Sequence, residues 1–169
     1  DPDGVERRVP AFWSGDQIWR VRYAASMPGR HCWRSVCSDA SDPDLHGREG
    51  SMDVSPYTGS NPLLRLGPLG VSDCGRYLHH HDGTPFFWLA DTWWMALCER
   101  LAWPADFQQL TQDRVDKGFT VIQLVAGLFP DMPAFDERSR NEAGFSWEED
   151  FTRINPSYYD HADVRIHHL

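Results

Sequence analysis

Basic residues are too few and too scattered in this sequence for a nucleic-acid-binding protein. The 169 residues include 16 Lys and Arg against 25 Asp and Glu, which gives a net charge of −9 at neutral pH. A protein that binds the phosphate backbone needs a clustered positive surface, and the arginines here are dispersed among acidic residues. We therefore expect no nucleic-acid partner.

Long apolar runs and targeting signals are also missing. No stretch approaches the roughly 18 consecutive apolar residues of a membrane-spanning helix, so we expect no membrane partner. The first residues, Asp1-Pro2-Asp3-Gly4, contain neither an initiator Met nor the basic and apolar regions of a signal peptide. We interpret the chain as starting inside a longer polypeptide, which leaves open whether that polypeptide is cytoplasmic or secreted. The sequence gives no indication of the oligomeric state.

The four cysteines form no disulfide or zinc pattern. Cys32 and Cys37 lie five residues apart on a predicted strand, so their side chains point to opposite faces. Cys74 and Cys98 belong to different elements, and no CxxC or Cys/His zinc spacing occurs. Four free thiols favour a reducing compartment.

The run His79-His80-His81 invites a metal interpretation. Consecutive strand residues alternate between faces, so at most His79 and His81 could share an ion, and no Cys or carboxylate stands at a suitable spacing. We expect neither a metal nor a cofactor.

The N-terminal third contains short alternating runs that are typical of antiparallel strands. Residues 18–24 place Trp19, Val21 and Tyr23 on one face, and a second run, 30–38, follows at hairpin spacing. Residues 39–50 are rich in Asp, Ser, Gly and Pro and predict a loop, which a short strand closes. These elements suggest the edge of an antiparallel sandwich.

A different pattern begins near residue 67. Residues 67–81 predict a small hairpin that turns at residues 73–75. Phe86–Ala90 is a continuous apolar run, which favours a strand buried on both faces of a parallel sheet. A helix over Pro104–Lys117 and a second buried strand over Phe119–Val125 complete a βαβ unit.

A long segment with many acidic residues follows this unit. Residues 126–155 should form a structured loop at the carboxyl end of the second strand, where α/β proteins place their sites. A helix is expected from Pro156 to the terminus. We take the absence of a strand after this helix as a sign that the chain is truncated, since a typical α/β barrel needs roughly 250 residues.

Two motifs, Gly75–Trp93 and Lys117–Gln123, resemble the apiosidase-like glycoside hydrolase family. The first runs from Gly75-Arg76-Tyr77-Leu78 to Asp82-Gly83-Thr84-Pro85-Phe86-Phe87-Trp88-Leu89-Ala90-Asp91-Thr92-Trp93 and is similar to the opening of that family's barrel. The second, Lys117-Gly118-Phe119-Thr120-Val121-Ile122-Gln123, is similar to its second strand. Thr120 stands where the family usually has Asn.

The upstream residues resemble the β-sandwich module that often precedes this barrel. The resemblance implies an α/β and all-β protein, a partial (β/α)8 TIM barrel with an N-terminal β-sandwich fragment. We assign residues 1–56 to the sandwich, 57–66 to a linker and 67–169 to the barrel. The matching positions are Phe12, Gly15, Asp16, Trp19, Arg20, Val21, Arg22, Tyr23, Pro28, Gly29, Trp33, Leu45, His46, Gly47 and Gly50.

The resemblance also implies a retaining glycosidase that acts on polysaccharide side chains, with a carbohydrate substrate. Such enzymes use two carboxylates, one to protonate the leaving oxygen and one to attack the anomeric carbon. In barrels of this kind the carboxylates stand at the ends of later strands, so we expect the catalytic pair downstream of residue 169. A complete carbohydrate-binding or interaction module is the alternative, and an α+β domain without any link to sugars is a third.

Five residues are candidates for substrate binding: Asp91, Trp93, Trp94, Gln123 and Asp131. Asp91 ends the first barrel strand, where it either contacts a sugar hydroxyl or, with Thr92, caps the next element. One of the two tryptophans should offer a stacking surface while the other packs beneath it. Gln123 needs partners for its amide, which ligand or a structural hydrogen bond would supply.

The remaining acidic residues of the long loop are weaker candidates. Asn141-Glu142 resembles the Asn-Glu pair that ends a catalytic strand in several glycosidases, but no apolar strand precedes it here. We interpret that pair as a coincidence. Asp131 lies closer to the end of the second strand and is the better candidate.

Overall fold

The computed structural model describes residues 1–169 and contains nine short strands and three helices. The strands are β1 (Phe12–Trp13), β2 (Trp19–Arg20), β3 (Gly29–Arg34), β4 (Glu49–Val54), β5 (Leu69–Val71), β6 (Leu78–His80), β7 (Pro85–Phe86), β8 (Ala90–Trp93) and β9 (Val121–Leu124). The helices are α1 (Pro62–Arg65), α2 (Ala105–Asp116) and α3 (Pro156–His168), with a 3-10 turn at Glu137–Ser139. Four separate sheets of two or three strands form, and none of them closes into a barrel.

The chain divides into two compact units that do not follow chain order. Unit 1 comprises Asp1–Phe12 and Arg20–Phe86, and unit 2 comprises Trp13–Trp19 and Phe87–Leu169. The domain limits proposed from the sequence stay a prediction. The sandwich and the partial barrel are not confirmed by these small sheets.

In unit 1 the longest ladder joins β3 to β4. Six antiparallel pairs run from Gly29↔Val54 to Arg34↔Glu49. The hairpin predicted between the runs 18–24 and 30–38 is therefore wrong, since β3 pairs with β4 while β2 pairs with β1.

The indole of Trp33 packs on Gly50 across this ladder. The two residues lie opposite each other, and a Cβ at Gly50 would be only 2.5 Å from the indole ring. A glycine at this position lets the indole cover the backbone of the neighbouring strand, which stabilises the pair. No residue of the run 18–24 is paired with β3 in this way.

A second sheet of unit 1 consists of β5, β6 and β7 in antiparallel order. The predicted hairpin turning at residues 73–75 is confirmed as β5 and β6. His80, on β6, is buried, and its Nδ1 lies 3.1 Å from the carbonyl oxygen of Gly67. The segment predicted as a linker contains helix α1, because Asn61 caps it by accepting a hydrogen bond from the backbone N–H of Leu63.

The βαβ unit is confirmed in unit 2, but its first strand begins later than predicted. Strand β8 covers Ala90–Trp93 and pairs in parallel with β9, whereas the apolar segment before it is not buried: Phe87 is 75% exposed. Thr120 fixes this register. Its Oγ1 donates to the Phe87 carbonyl (2.6 Å) and accepts from the Leu89 N–H (3.1 Å), so regular pairing starts only after Leu89.

Helix α2 covers one face of the parallel pair. Asp91 and Trp93 on β8 lie opposite Ile122 and Leu124 on β9, and these side chains share the face towards α2. The buried cluster on that face comprises Trp93, Ala96 and Phe107, with Leu101, Trp103, Leu110, Ile122 and Leu124 packed around it.

The predicted C-terminal helix is confirmed as α3, which begins at Pro156 in the favoured first position. Its buried residues are Tyr158, Ala162 and Arg165, spaced four and three apart on one face. Val164 and Ile166, on either side of Arg165 in the sequence, are exposed. An arginine therefore occupies a core position of this helix.

Replacing Phe107 with Ala should lower the free energy of unfolding by about 3–5 kcal/mol. The ring is fully buried and makes edge contacts with Trp93 and Trp103 at 5.4 and 5.6 Å, so its loss leaves a cavity. The matched control is Val115→Ala on the exposed side of α2, which should change stability by less than about 0.5 kcal/mol. Urea unfolding measures both, and equal losses would contradict the assignment of the two helix faces.

Candidate functional site

Asp91 lies on the covered face of β8 and is bound to α2. Its Oδ2 accepts hydrogen bonds from Nε of Arg114 (2.6 Å) and from Nε1 of Trp93 (3.0 Å). The hydrogen bond from Arg114 lowers the pKa of Asp91, partly opposed by burial. Asp91 is thus an ionised carboxylate that ties the strand to the helix behind it.

The two adjacent tryptophans have different surroundings. Trp93 is buried at the centre of the core of unit 2, with its ring edge-on to Phe107. Trp94, which follows the last residue of β8, is 50% exposed. Only Trp94 therefore has a large ring surface open to a ligand.

Gln123 lies on the uncovered face of the parallel pair. It is opposite Thr92, whose Oγ1 donates to Gln123 Oε1 at 3.4 Å. Ala90 and Val121 share this face. A hydroxyl and an amide therefore stand together near the carboxyl ends of two parallel strands, on the side of the sheet away from α2.

Asp131 lies in the long segment that follows β9. Its Oδ2 accepts from Nη1 of Arg100 at 2.8 Å, and the carboxylate is about half exposed. Nearby in sequence, Asp136 accepts two hydrogen bonds from the side chain of Arg138, which hold its pKa at about 2. Asp131 is not in hydrogen-bond contact with Asp91 or Gln123, so the structure does not join all five predicted site residues.

Glu142 is held by a fully buried arginine, which the sequence interpretation missed. Nη2 of Arg165 donates to both carboxylate oxygens, at 2.8 and 3.1 Å, and His161 Nδ1 lies 3.6 Å from Oε2. The side chain of Arg165 is 1% exposed and that of Glu142 is 37% exposed. Burial alone would raise the pKa of Glu142, but the hydrogen bond and charge of Arg165 outweigh it, and the pKa is lowered.

Asn141, the residue before Glu142, anchors this segment through two hydrogen bonds of its side chain. It is buried, donates through Nδ2 to the Tyr158 carbonyl at 3.0 Å, and accepts from the Ala143 N–H at 2.9 Å. Asn141 and Glu142 thus connect the long segment to α3, through Tyr158 and Arg165. The signal that could have revealed it is Arg165, a charged residue on the buried face of a helix, which must have an acidic partner.

Buried ionisable groups surround this ion pair. Burial raises the pKa of Cys98, whose Sγ donates to the Met95 carbonyl at 3.4 Å. Burial likewise raises the pKa of Tyr158 far above its ordinary value. Both side chains therefore stay neutral at physiological pH, so neither competes with Glu142 for the charge of Arg165.

No group of three or more His, Cys, Asp or Glu side chains is arranged to hold a metal ion. In the run His79-His80-His81, the ring of His80 is turned inward to the Gly67 carbonyl. None of the three helices has the length and apolar character needed to cross a membrane.

Comparison with known families identifies the C-terminal part of the chain. A family model described as "Apiosidase-like, catalytic domain" matches residues 72–169, which is more than half of the chain. The chain belongs to the apiosidase-like family. No curated protein and no solved structure matches it.

The match to the apiosidase-like catalytic domain confirms the resemblance seen in the motifs. It begins at Ser72 and includes both motifs, together with the βαβ unit, the long segment and α3. The residues before Ser72 lie outside the match, so the upstream module stays a prediction.

Replacing Glu142 with Gln should lower the free energy of unfolding by about 2–3 kcal/mol at neutral pH, since it leaves the buried Arg165 without a counter-charge. The pKa of Glu142 is below its ordinary 4.5 in the folded protein. Its stabilising effect is therefore complete above that ordinary value and is lost as the pH falls through the folded-state pKa.

Urea unfolding from pH 7 down to about pH 3 tests this effect. The stabilities of the wild type and Glu142→Gln should converge on acidification, because a protonated Glu142 resembles Gln. Asp136→Asn is the control: its partner Arg138 is 58% exposed, so the ion pair is solvated and the loss should be smaller. A constant difference between wild type and Glu142→Gln at all pH values would contradict the assignment.

Proposed function

We propose that this apiosidase-like domain forms part of a glycoside hydrolase that acts on polysaccharide side chains. The family match supports a glycosidase-type catalytic domain. The parallel strands β8 and β9, with α2 between them in sequence, support the first βα units of a (β/α)8 barrel. In such a barrel the helices cover the outside and the opposite strand face points inward.

One observation carries the proposal: Thr92 and Gln123 form a polar pair on the strand face that α2 leaves uncovered. Hydroxyl and amide groups bind sugar hydroxyls by hydrogen bonds, and an exposed indole packs on the apolar face of a sugar ring. Trp94 follows directly at the carboxyl end of β8, where barrels bind their substrates. We assign substrate contact to Gln123 and Trp94, with Asp131 at the rim.

Asp91 and Trp93 take a different part in the proposed site. Both are on the covered face of β8, where Asp91 is bound by Arg114 and Trp93 packs on Phe107. In this proposal they position the strand and the adjoining Trp94, and they affect the ligand through that position.

The acids held by arginines in this chain are poor candidates for the general acid. Retaining hydrolysis needs one carboxyl group with a raised pKa to protonate the leaving oxygen and a second, ionised one as nucleophile. The pKa values of Asp91, Asp136 and Glu142 are lowered instead. We therefore propose that these residues do not form the catalytic pair.

Carbohydrate binding should depend on the uncovered strand face. Gln123→Ala should weaken binding of the preferred soluble polysaccharide about three- to tenfold through loss of one or two hydrogen bonds. Trp94→Ala should weaken it about tenfold through loss of apolar contact. Affinity electrophoresis against pectic polysaccharide, xylan and dextran measures these effects.

Trp33→Ala is the matched control, because Trp33 lies in unit 1 and is exposed to nearly the same extent as Trp94. It should bind like the wild type. A loss of binding in Trp33→Ala but not in Gln123→Ala or Trp94→Ala would instead favour a carbohydrate-binding module in unit 1. Thermal melting of each variant checks that the fold is retained.

The 169-residue chain should bind carbohydrate without hydrolysing it, because the one carboxylate on β8 and β9, Asp91, lies on the covered face and is bound to Arg114. Release of reducing sugar from a panel of glycosides and polysaccharides measures this. Clear turnover that scales with the amount of purified chain would contradict the assignment of the catalytic pair.

A further inference from the structure

A short hairpin from the N-terminal part of the chain belongs to unit 2. Residues 13–19 group with 87–169 and not with the flanking residues of unit 1. The hairpin is closed by hydrogen bonds from Ser14 N–H to the Ile18 carbonyl and from Ile18 N–H to the Gly15 carbonyl, both at 2.9 Å. Gly15 has a φ of +99°, a conformation that glycine adopts without strain. The tip is therefore a tight turn.

This hairpin is held against the start of α3. A Cβ at Gly15 would lie 3.8 Å from Cβ and Cγ of Pro156, the first residue of that helix. The guanidinium of Arg153 lies 5.8 Å from the centre of the Trp13 ring, a cation–π contact. Trp13 Nε1 in turn donates to the Asp16 carbonyl at 3.0 Å, which fixes the ring within the hairpin.

The start of α3 lies at the carboxyl end of β9. Gly127, three residues beyond the last residue of β9, packs against the first turn of this helix: a Cβ there would be 3.2 Å from Tyr159 Oη. In α/β proteins ligands bind beyond the carboxyl ends of the parallel strands. The hairpin is thus on the ligand side of unit 2.

The hairpin carries groups that suit a sugar. Trp19 is 51% exposed, so much of its indole is open to solvent. Arg153 beside Trp13 is paired with Glu148 at 3.4 Å, and both side chains retain donors and acceptors that can bind hydroxyl groups. The hairpin region thus offers an open indole at Trp19 and, beside Trp13, polar side chains, which are the kinds of group that contact the apolar face and the hydroxyls of a sugar ring.

We propose that the hairpin 13–19 forms an additional carbohydrate subsite, in which Trp19 stacks on a sugar residue of the polysaccharide outside the residue that is cleaved. This inference rests on the proposed function, since it assumes a polysaccharide on the ligand side of unit 2. The subsite lengthens the stretch of polysaccharide that the domain recognises and leaves the contacts of Gln123 and Trp94 unchanged.

The test compares short and long fragments of the polysaccharide that binds best in the panel. Affinities of the wild type, Trp19→Ala and Ile18→Ala are measured by isothermal titration calorimetry. The wild type should bind long fragments more tightly than short ones. Trp19→Ala should bind long fragments about tenfold more weakly than the wild type, with unchanged affinity for short ones.

Ile18→Ala is the matched control, because Ile18 lies in the same hairpin and is similarly exposed at 49%. It should bind all fragments like the wild type, and Trp19→Phe, which keeps an aromatic ring, should retain most of the affinity. Equal affinity of Trp19→Ala and the wild type for long fragments would overturn the subsite alone. A wild type that binds no carbohydrate of the panel would overturn the proposed function, and the subsite with it.

Discussion

Side chains alternate between the two faces of the parallel pair β8 and β9, and α2 covers only one of these faces. The register pairs Asp91 with Ile122 and Trp93 with Leu124, so core residues collect under the helix. The same register leaves Gln123 with Thr92 on the other face. A slip by one residue would exchange the two sets and bury the polar pair under α2. Core and candidate site are thus two consequences of one pairing.

Buried and half-buried charges place a second constraint on unit 2. Arg114 reaches from α2 to Asp91, and Arg165 reaches from α3 to Glu142, so each helix is bound by one ion pair to the element that it packs on. The pair made by Arg165 is the more consequential, because a fully buried guanidinium without its carboxylate is costly. The same contacts lower the pKa values of Asp91 and Glu142. A general acid needs a raised pKa, so these two carboxylates are suited to anchoring the helices and not to donating a proton.

The sequence predicts the elements of unit 2 better than it predicts their partners. Helices α2 and α3 and strand β9 follow from local signals, such as Pro156 at the start of α3 and Gly118, with a φ of +75°, just beyond the end of α2. The start of β8 does not, because it depends on a tertiary hydrogen bond from Thr120 to the Phe87 carbonyl. The predicted pairing of β3 is also wrong. Its partner β4 lies farther along the chain, and the contact of Trp33 with Gly50 joins strands that are distant in sequence. The ion pair between Glu142 and Arg165 is likewise a contact between residues distant in sequence, so local signals do not predict it.

Residues that are close in sequence can belong to different units of this structure, as residues 13–19 do. The apiosidase-like match begins at Ser72, and yet the hairpin 13–19 packs on Pro156 inside the matched region. In the proposed subsite, this contact places Trp19 on the ligand side with no loss of conformational freedom beyond that of folding the hairpin. The proposed binding surface is preorganised, because contacts with Arg153 and Pro156 hold the turn before any ligand binds. The proposed subsite therefore extends ligand recognition to residues outside the stretch that matches the family.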